Sequence, residues 1–457
     1  MEQNGRFLES KCKLLANSHE RLKSGGGNGD YGSIKSPTST TGIEYSYTRG
    51  SDEITVSGTY GVWDACDDGI IKPVIVIEGY DPLNSKTLTG EVEEESLYSI
   101  TDTREHILDN LMGNGYDIII LDFDQNNRRL DENFYLVVKL INEINSQKTG
   151  DEKCILMGRS GGGLLARHAL AYMEYHNLGH DSRMLITIDA PHDGANIPLG
   201  FQHWAAQFEA NFLDLLDPLV QVTFQYIVDQ TLNCPYSKQI LNYHHSATDD
   251  GEAHPSSMKT SYYAGLSVFG GSGGYPEDVF KIAISSGSYE DDRQELGYSS
   301  ELLTWSQVEA LFFMYSTHVY SLPQHNQSGA IIETESKIWI LNQWVPYFSG
   351  SFDVDNTLPY DDAPGGNAGW HNFSQFELVD LALPFTYITT NPTNSCFMPV
   401  VSALAIKDYA RPTTDGGLIL HLDDLLTYDN LVKIDPITNT ILNLDPGNVT
   451  PFDIIYA

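Results

Sequence analysis

Cys154-Ile-Leu-Met-Gly-Arg-Ser-Gly-Gly-Gly-Leu164 is the stretch whose reading decides the fold. Cys154 to Met157 is a short apolar run that suits a buried strand, and Gly163 to Tyr175 carries a helical pattern. Between them Gly158-Arg-Ser-Gly-Gly162 matches G-x-S-x-G, so Ser160 sits on a sharp strand-to-helix turn with its hydroxyl exposed. The flanking glycines fit that turn because a side chain there collides across it. The helix amino terminus sets backbone N–H groups beside Ser160, where they favour a developing negative charge. The motif alone recurs by chance as a structural turn. The strand before it and the helix after it give it chemical meaning, with Ser160 as nucleophile.

Outward from this stretch, strands and helices alternate. Val74 to Ile77, Ile118 to Leu121, Met184 to Ile188 and Val279 to Ile284 read as strands; Arg104 to Met112 and Phe134 to Ile144 read as helices. Short apolar runs alternating with helices of about twelve residues imply buried parallel strands joined by right-handed crossovers. The expected fold class is α/β, a doubly wound, mostly parallel sheet. Ile43 to Tyr47 and Ile54 to Tyr60 alternate with period two and predict antiparallel strands at its edge. Ser24 to Asp30 and Ser36 to Thr41 are loop-like, so residues 1–42 read as a flexible leader or linker and 43–457 as one domain. That domain carries insertions at about 201–275 and 290–360. In the first, Phe201 to His245 is helical and apolar, either a cap over the active site or added core packing. In the second, Glu301 to Gly350 is expected to mix a helix with the strand-like run Ser336 to Val345.

Composition narrows the function classes. The 457 residues are 41% hydrophobic with 26 Tyr and 18 Phe, enough for a large core. With 62 acidic against 26 basic residues the formal charge is -36, a field that repels nucleic acid and anionic membrane surfaces, so no nucleic-acid partner is expected. No run reaches the roughly 18 apolar residues of a membrane span, and Met1 to Gly27 has no apolar signal core. An exported protein would carry its signal outside this sequence. Nothing in the sequence signals an oligomeric state. The five cysteines show no CxxC and no regular spacing, so neither a zinc site nor a dense disulfide framework is indicated, and an odd count leaves at least one thiol free. Asp122 to Asn127 begins like a calcium loop, but Asn127 stands where glycine is required and Asn133 where the bidentate Glu belongs, so an EF-hand is rejected. No metal and no cofactor are expected.

Two further stretches bear on chemistry. Val74-Ile-Val-Ile-Glu-Gly-Tyr-Asp-Pro82 is an apolar strand broken at a glycine; it is either an ordinary strand-ending turn or the loop that gives an oxyanion hole its first N–H. On the second reading the donors are Tyr80 and Gly161. Thr187-Ile-Asp-Ala-Pro-His-Asp-Gly-Ala195 follows the next strand, and its Pro191 to Ala195 resembles the Pro-His-x-Gly-Ala run of a lipase family.

The resemblance sharpens to lipase-like serine hydrolases of Bacteroidota, within the α/β-hydrolase superfamily. It rests on Tyr60–Trp63, Lys72–Pro82, Leu108–Leu111, Gly115–Ile120, Gly158–Tyr175 and Asp189–Gly200. Lys281–Ser288, Asp361–Gly366, Phe397–Leu404 and Thr450–Tyr456 continue it, so it covers about Tyr60 to Ala457. Arg159 departs from the pattern, since a smaller or apolar residue is commoner there; a cation beside the site favours an anionic group on the substrate or pairs with a nearby carboxylate. The resemblance implies an esterase or lipase acting on a small-molecule or lipid ester, secreted or at the cell surface.

It also implies the order nucleophile, acid, histidine along the chain. His192 would break that order and reads instead as a structural histidine supporting the site floor. For the acid, Asp361 in the glycine-rich loop Asp361 to Gly366 suits best; Asp362 competes directly, and Asp291 and Asp292 hold the usual topological position. The base is open. His371 lies ten residues after Asp361 but precedes the expected last strand near Met398 to Leu404, and His421 sits in an apolar run. The related proteins place it a few residues beyond the segment matching Thr450 to Tyr456, past Ala457, which would leave Ser160 unactivated in this chain. The candidate triad is Ser160, Asp361 and His371, with a base beyond Ala457 as the alternative. An amidase, an acyltransferase, or a non-catalytic surface or binding protein that keeps the fold are the competing functions.

Overall fold

The apolar runs flanking the Ser160 turn are buried on both faces. In β3 (Pro73–Ile77), β4 (Asp117–Phe123) and β5 (Cys154–Arg159), Val74, Ile75, Ile118, Ile119 and Leu156 have no exposed surface. Continuous β-branched runs of this kind suit strands covered by helices on each side. A computed structural model of the chain describes residues 36–457 apart from 89–95, 99–105, 211–225, 227, 249–250, 271–272, 286–299, 310–312, 322–326, 342, 358–360, 362–364, 369–385, 391–394, 406–449 and 457. The described residues form two compact units, one from residues up to Ala190 together with Tyr262–Ala283, the other from Pro191–Ser261 and Ile284 onward.

The first unit is a mixed, mostly parallel sheet with helices, an α/β arrangement. Its strands run in the order β1-β2-β4-β3-β5-β6-β7, with β1 Ser39–Arg49, β2 Asp52–Trp63, β6 Ser182–Ile188 and β7 Phe280–Ile284. β4, β3, β5 and β6 pair in parallel, while β1–β2 and β2–β4 are antiparallel. The alternating runs at Ile43 and Ile54 thus become the antiparallel edge. β1 begins at Ser39, ahead of the bound at residue 42 read from composition, because Ser39 to Gly42 pair through their backbones with Val62 to Thr59. Ladder bonds use backbone groups, so a Ser/Thr-rich stretch joins them readily.

Helices α1 (Ile107–Gly113), α2 (Leu130–Gln147) and α3 (Gly161–Tyr175) complete this unit. α2 buries Leu130, Phe134, Val137, Ile141 and Ile144, a stripe at helical spacing. α3 is buried almost all round, including Arg167, whose Nε and Nη2 each donate at 2.9 Å to the carbonyls of Gly274 and Gly273 while its guanidinium lies 3.4 Å above the Tyr275 ring.

His168 on α3 is 2% exposed and stacks on Phe134 with ring centroids 3.8 Å apart. Burial lowers its pKa to about 3. Above about pH 6.5 the ring is neutral in both folded and unfolded chains; below it the unfolded chain binds a proton that the folded chain refuses until about pH 3. Stability is therefore lost as pH falls through this window, at up to about 1.4 kcal/mol per pH unit. His168→Phe keeps the stacking volume and is expected to make the unfolding free energy fall less steeply between about pH 6 and 4, by close to one proton. A slope in urea titrations equal to the wild type's contradicts this.

The second unit contains α4 (Leu199–Ala210), α5 (Pro235–Ile240), the start of α6 (Ser257–Leu266) and a five-stranded antiparallel sheet. That sheet runs β11-β10-β9-β8-β13, from β8 Glu301–Glu309, β9 Phe313–Tyr320, β10 Gln327–Ile340, β11 Gln343–Thr357 and β13 Thr386–Thr390. β12 (Gly365–Ala368) and β14 (Ser395–Pro399) form a separate pair, α7 is Val400–Ala403, and β15 is Ile454–Tyr456.

The helix expected within Glu301 to Gly350 is absent among the described residues, and the expected strand Ser336 to Val345 is instead a hairpin. Leu302 and Leu303 are both 2% exposed, and Ile331 and Ile332 both 1%, which breaks strand alternation and resembles a helical face. Register shifts between Glu301 and Leu303 and between Ala330 and Ile332 explain both pairs. A bulge turns two successive side chains inward. The hairpin turns at Leu341, φ 51°, and pairs Trp339 across from Trp344 with rings 5.2 Å apart.

Candidate active site

In the first unit the chain leaves β5 at Arg159, turns at Ser160 and enters α3 at Gly161, as the motif implied. Ser160 adopts φ 52° and ψ −131°, a conformation that costs an L-residue about 1–3 kcal/mol and persists only where neighbours over-determine it. Those neighbours are backbone. The Ser160 N–H donates to Ile188 O at 2.8 Å, and the Gly163 N–H donates to Ser160 O at 3.0 Å. A methyl group on Gly162 would lie 2.2 Å from Ile77 O and 2.5 Å from Glu78 O; one on Gly158 would lie 2.3 Å from Gly162 C. The turn is thus wedged between β3 and α3, which leaves Ser160 half-buried and Arg159 exposed.

The loop after β3 reaches the same place. A methyl group on Gly79 would lie 3.0 Å from Arg159 O and 3.4 Å from Ser160 Cβ, so Gly79 rests against the nucleophile candidate. Tyr80 follows it, half-buried, and Gly161 is the buried first residue of α3.

Three polar residues around this loop were not singled out by sequence. Glu78 is 4% exposed and accepts the Phe123 N–H at 2.9 Å through Oε2. Burial pushes its carboxyl well above the usual range, against the pull of that N–H and of the Asn126 amide. Asn126, 2% exposed, donates from Nδ2 to Gly79 O at 2.7 Å. Asp81, 3% exposed, accepts from Ser85 Oγ at 3.0 Å and Lys86 N–H at 2.7 Å. At the end of β4, burial together with Asp124 and Asp81 raises Asp122 to about 7. The available signal was a carboxylate closing an apolar run directly before a glycine.

The described histidines of the first unit are engaged elsewhere. His106 stands beside Asp109, His168 is packed within α3, and His176 lies against Tyr172. His180 Nδ1 accepts the Ser182 N–H at 3.0 Å, which leaves the ring proton on Nε2, 3.3 Å from Glu174 Oε1. Glu174, His180 and Asp278 are the cluster among the described residues close enough to share a cation. Glu174 also accepts the N–H groups of Glu277 at 2.6 Å and Asp278 at 2.9 Å.

In the second unit the Pro191 to Ala195 run is a stitched loop. His192 is fully buried, with its ring 5.0 Å from that of Phe452. The Asp193 N–H donates to Ser402 Oγ at 3.1 Å, and that hydroxyl donates to Gly194 O at 2.6 Å. Lys259 Nζ donates to Asp193 O at 3.0 Å and to Asn242 Oδ1, and burial lowers its pKa to about 8. Asp361 is 7% exposed and accepts from Asn196 Nδ2 at 2.8 Å. His203, His244 and His245 are each lowered by burial to about 4 and hydrogen-bonded to Thr248, Leu232 O and Asn233 respectively. His371, His421, Asp362, Asp291 and Asp292 lie outside the described residues.

No protein-family model and no curated protein matches the chain. Solved structures with partial similarity include Est1E from Butyrivibrio proteoclasticus, at 14% identity over 32% of this chain and 51% of that one, TM-score 0.22. A fungal esterase from Rhizomucor miehei is 13% identical over 60% of this chain and 72% of its own, TM-score 0.28. EstE1, a thermophilic carboxylesterase cloned from a metagenomic library, is 14% identical over 62% and 76%, TM-score 0.29. The chain spans about half the length of Est1E, 51%.

Proposed function

We propose that the chain is an α/β-hydrolase that cleaves carboxylic esters through an acyl-enzyme on Ser160. The observation that carries this reading is the strained turn at Ser160, φ 52° and ψ −131°, between a buried strand and the amino terminus of α3. Strain held in place by backbone contacts at a half-exposed serine fits a nucleophile presented to substrate. Ser160 Oγ attacks the ester carbonyl and passes its proton to a histidine, for which His371 is the candidate in this sequence. The N–H groups of Tyr80 and Gly161 receive the oxyanion, the alcohol leaves with the proton, and water then releases the acid. Asp361, buried and hydrogen-bonded, has the surroundings an orienting carboxylate needs. Export is part of this reading, and the disulfide at Cys66 supports an oxidising compartment.

The test is labelling with a fluorophosphonate, followed by identification of the modified peptide. A label on Ser160 is expected, and a folded protein that resists the reagent favours a non-catalytic binding protein. A panel of p-nitrophenyl esters and anilides then ranks substrates. Medium acyl chains are expected to react faster than acetyl, because the apolar Phe201 to His245 segment suits an acyl cover and each buried methylene adds roughly 0.8 kcal/mol. Strict acetyl preference contradicts the cover, and anilides outrunning esters make the protein an amidase. His371→Ala tests the base: lost turnover assigns it to His371, and retained turnover excludes His371.

A further inference from the structure

We infer that Asn126 is a positioning residue that aims the oxyanion-stabilising N–H of Tyr80, by holding the carbonyl of the preceding Gly79. This rests on the serine-esterase reading and names a part of the machinery that reading leaves open.

The argument begins with the peptide unit. In a trans peptide the carbonyl of one residue and the N–H of the next are locked antiparallel in one plane, so fixing the first fixes the second. Asn126 Nδ2 donates to Gly79 O at 2.7 Å from a side chain that is 2% exposed, so water does not compete for the bond. Gly79 lies against Ser160, close enough that a methyl group on it would stand 3.4 Å from Ser160 Cβ, so the Gly79–Tyr80 peptide adjoins the reacting hydroxyl. A glycine before this peptide leaves its rotation unrestrained by a side chain. An external clamp therefore has something to restrain.

The clamp is itself braced. Asn133 Nδ2 donates to Gln125 O at 3.1 Å, which holds the turn that carries Asn126. Glu78 ties the loop to β4 through Phe123 N–H, and its Oε1 has no hydrogen-bond partner among the described residues. A charged carboxylate there would draw the Asn126 amide away from Gly79 O. Burial, reinforced by the neighbouring Asp122 and Asp81 charges, holds the Glu78 carboxyl well above the usual range, so the Asn126 amide, which also faces that carboxyl, is not pulled from Gly79 O by a full negative charge. Downstream, Asp81 closes the loop on itself through Ser85, Lys86 and the Asn84 N–H, which donates to Asp81 O at 3.1 Å. The peptide is thus restrained on both sides. Preorganised donors need no reorganisation during reaction, which is the source of their catalytic effect.

The experiment uses the full chain carrying Asn126→Ala, whose side chain cannot donate to Gly79 O. Turnover of a p-nitrophenyl ester is expected to fall by about 10- to 100-fold in kcat with KM within about threefold, since loss of one oxyanion donor costs about 100- to 1000-fold. Affinity for an alkyl trifluoromethyl ketone, which adds to the serine as a tetrahedral oxyanion, is expected to fall by the same factor. Urea midpoints report the cost to the fold separately. A lowered midpoint with kcat and ketone affinity of the folded protein unchanged means that Asn126 only braces the loop, and overturns the inference. Should Asn126→Ala not fold, Asn126→Ser keeps a polar group in the space, withdraws it from Gly79 O, and is read the same way. Wild-type protein left unlabelled by fluorophosphonate removes the esterase reading and this inference together. Labelled, active wild type with unaffected Asn126 variants removes this inference alone.

Discussion

Ser160→Ala is expected to lower ester turnover by about 10⁴-fold or more and to abolish fluorophosphonate labelling, while the melting temperature stays within about 1 °C of the wild type. The activity loss follows because the hydroxyl is the atom that bonds the acyl group, and no neighbouring group replaces a missing nucleophile. The unchanged stability follows from what holds the turn. Ser160 is kept at φ 52° by its own backbone bonds to Ile188 O and Gly163 N–H, and by the closeness of Gly158 and Gly162 to neighbouring backbone. Alanine retains every one of those contacts. Turnover within tenfold of the wild type would move the chemistry to another residue.

Gly162→Ala is expected to disrupt folding severely, with a loss of at least about 3 kcal/mol in urea-measured stability or failure to fold. Its new carbon would lie 2.2 Å from Ile77 O, 2.5 Å from Glu78 O and 2.9 Å from Glu78 C. All three atoms are backbone at the end of β3, which is paired to β4 on one side and β5 on the other, so no rotamer change relieves the clash. Gly179→Ala is the control, because nothing lies within 4 Å of a methyl group there. It is expected to change stability by less than about 0.5 kcal/mol. Equal midpoints for the two variants would mean that β3 and α3 can separate without cost, and the wedge that presents Ser160 would lose its physical basis.

Asn126 shows why half of the candidate site was legible and half was not. Ser160, Gly161 and the loop carrying Tyr80 announce themselves in runs of ten residues or fewer, because a strand, a glycine-flanked turn and a helix each leave a local pattern. Asn126 reaches Gly79 across 47 residues of chain, and Asn196 reaches Asp361 across 165. Neither separation has a period. Read locally, Asp122 to Asn127 offered only a failed calcium loop, although its asparagine side chain serves the neighbouring strand.

The same division runs through the fold. Periodicity by itself determined the parallel α/β sheet of the first unit, its antiparallel edge and the placement of the Ser160 turn, because backbone period and side-chain burial repeat together within each element. Only tertiary structure decided the antiparallel sheet of the second unit. There Leu302–Leu303 and Ile331–Ile332 place adjacent apolar residues inward at bulges, and a bulge exists only relative to the partner strand. Tertiary structure also decided which of 62 acidic residues are buried, such as Glu78 and Asp361, since burial of a carboxylate depends on donors brought from distant chain and leaves no mark in its own neighbours.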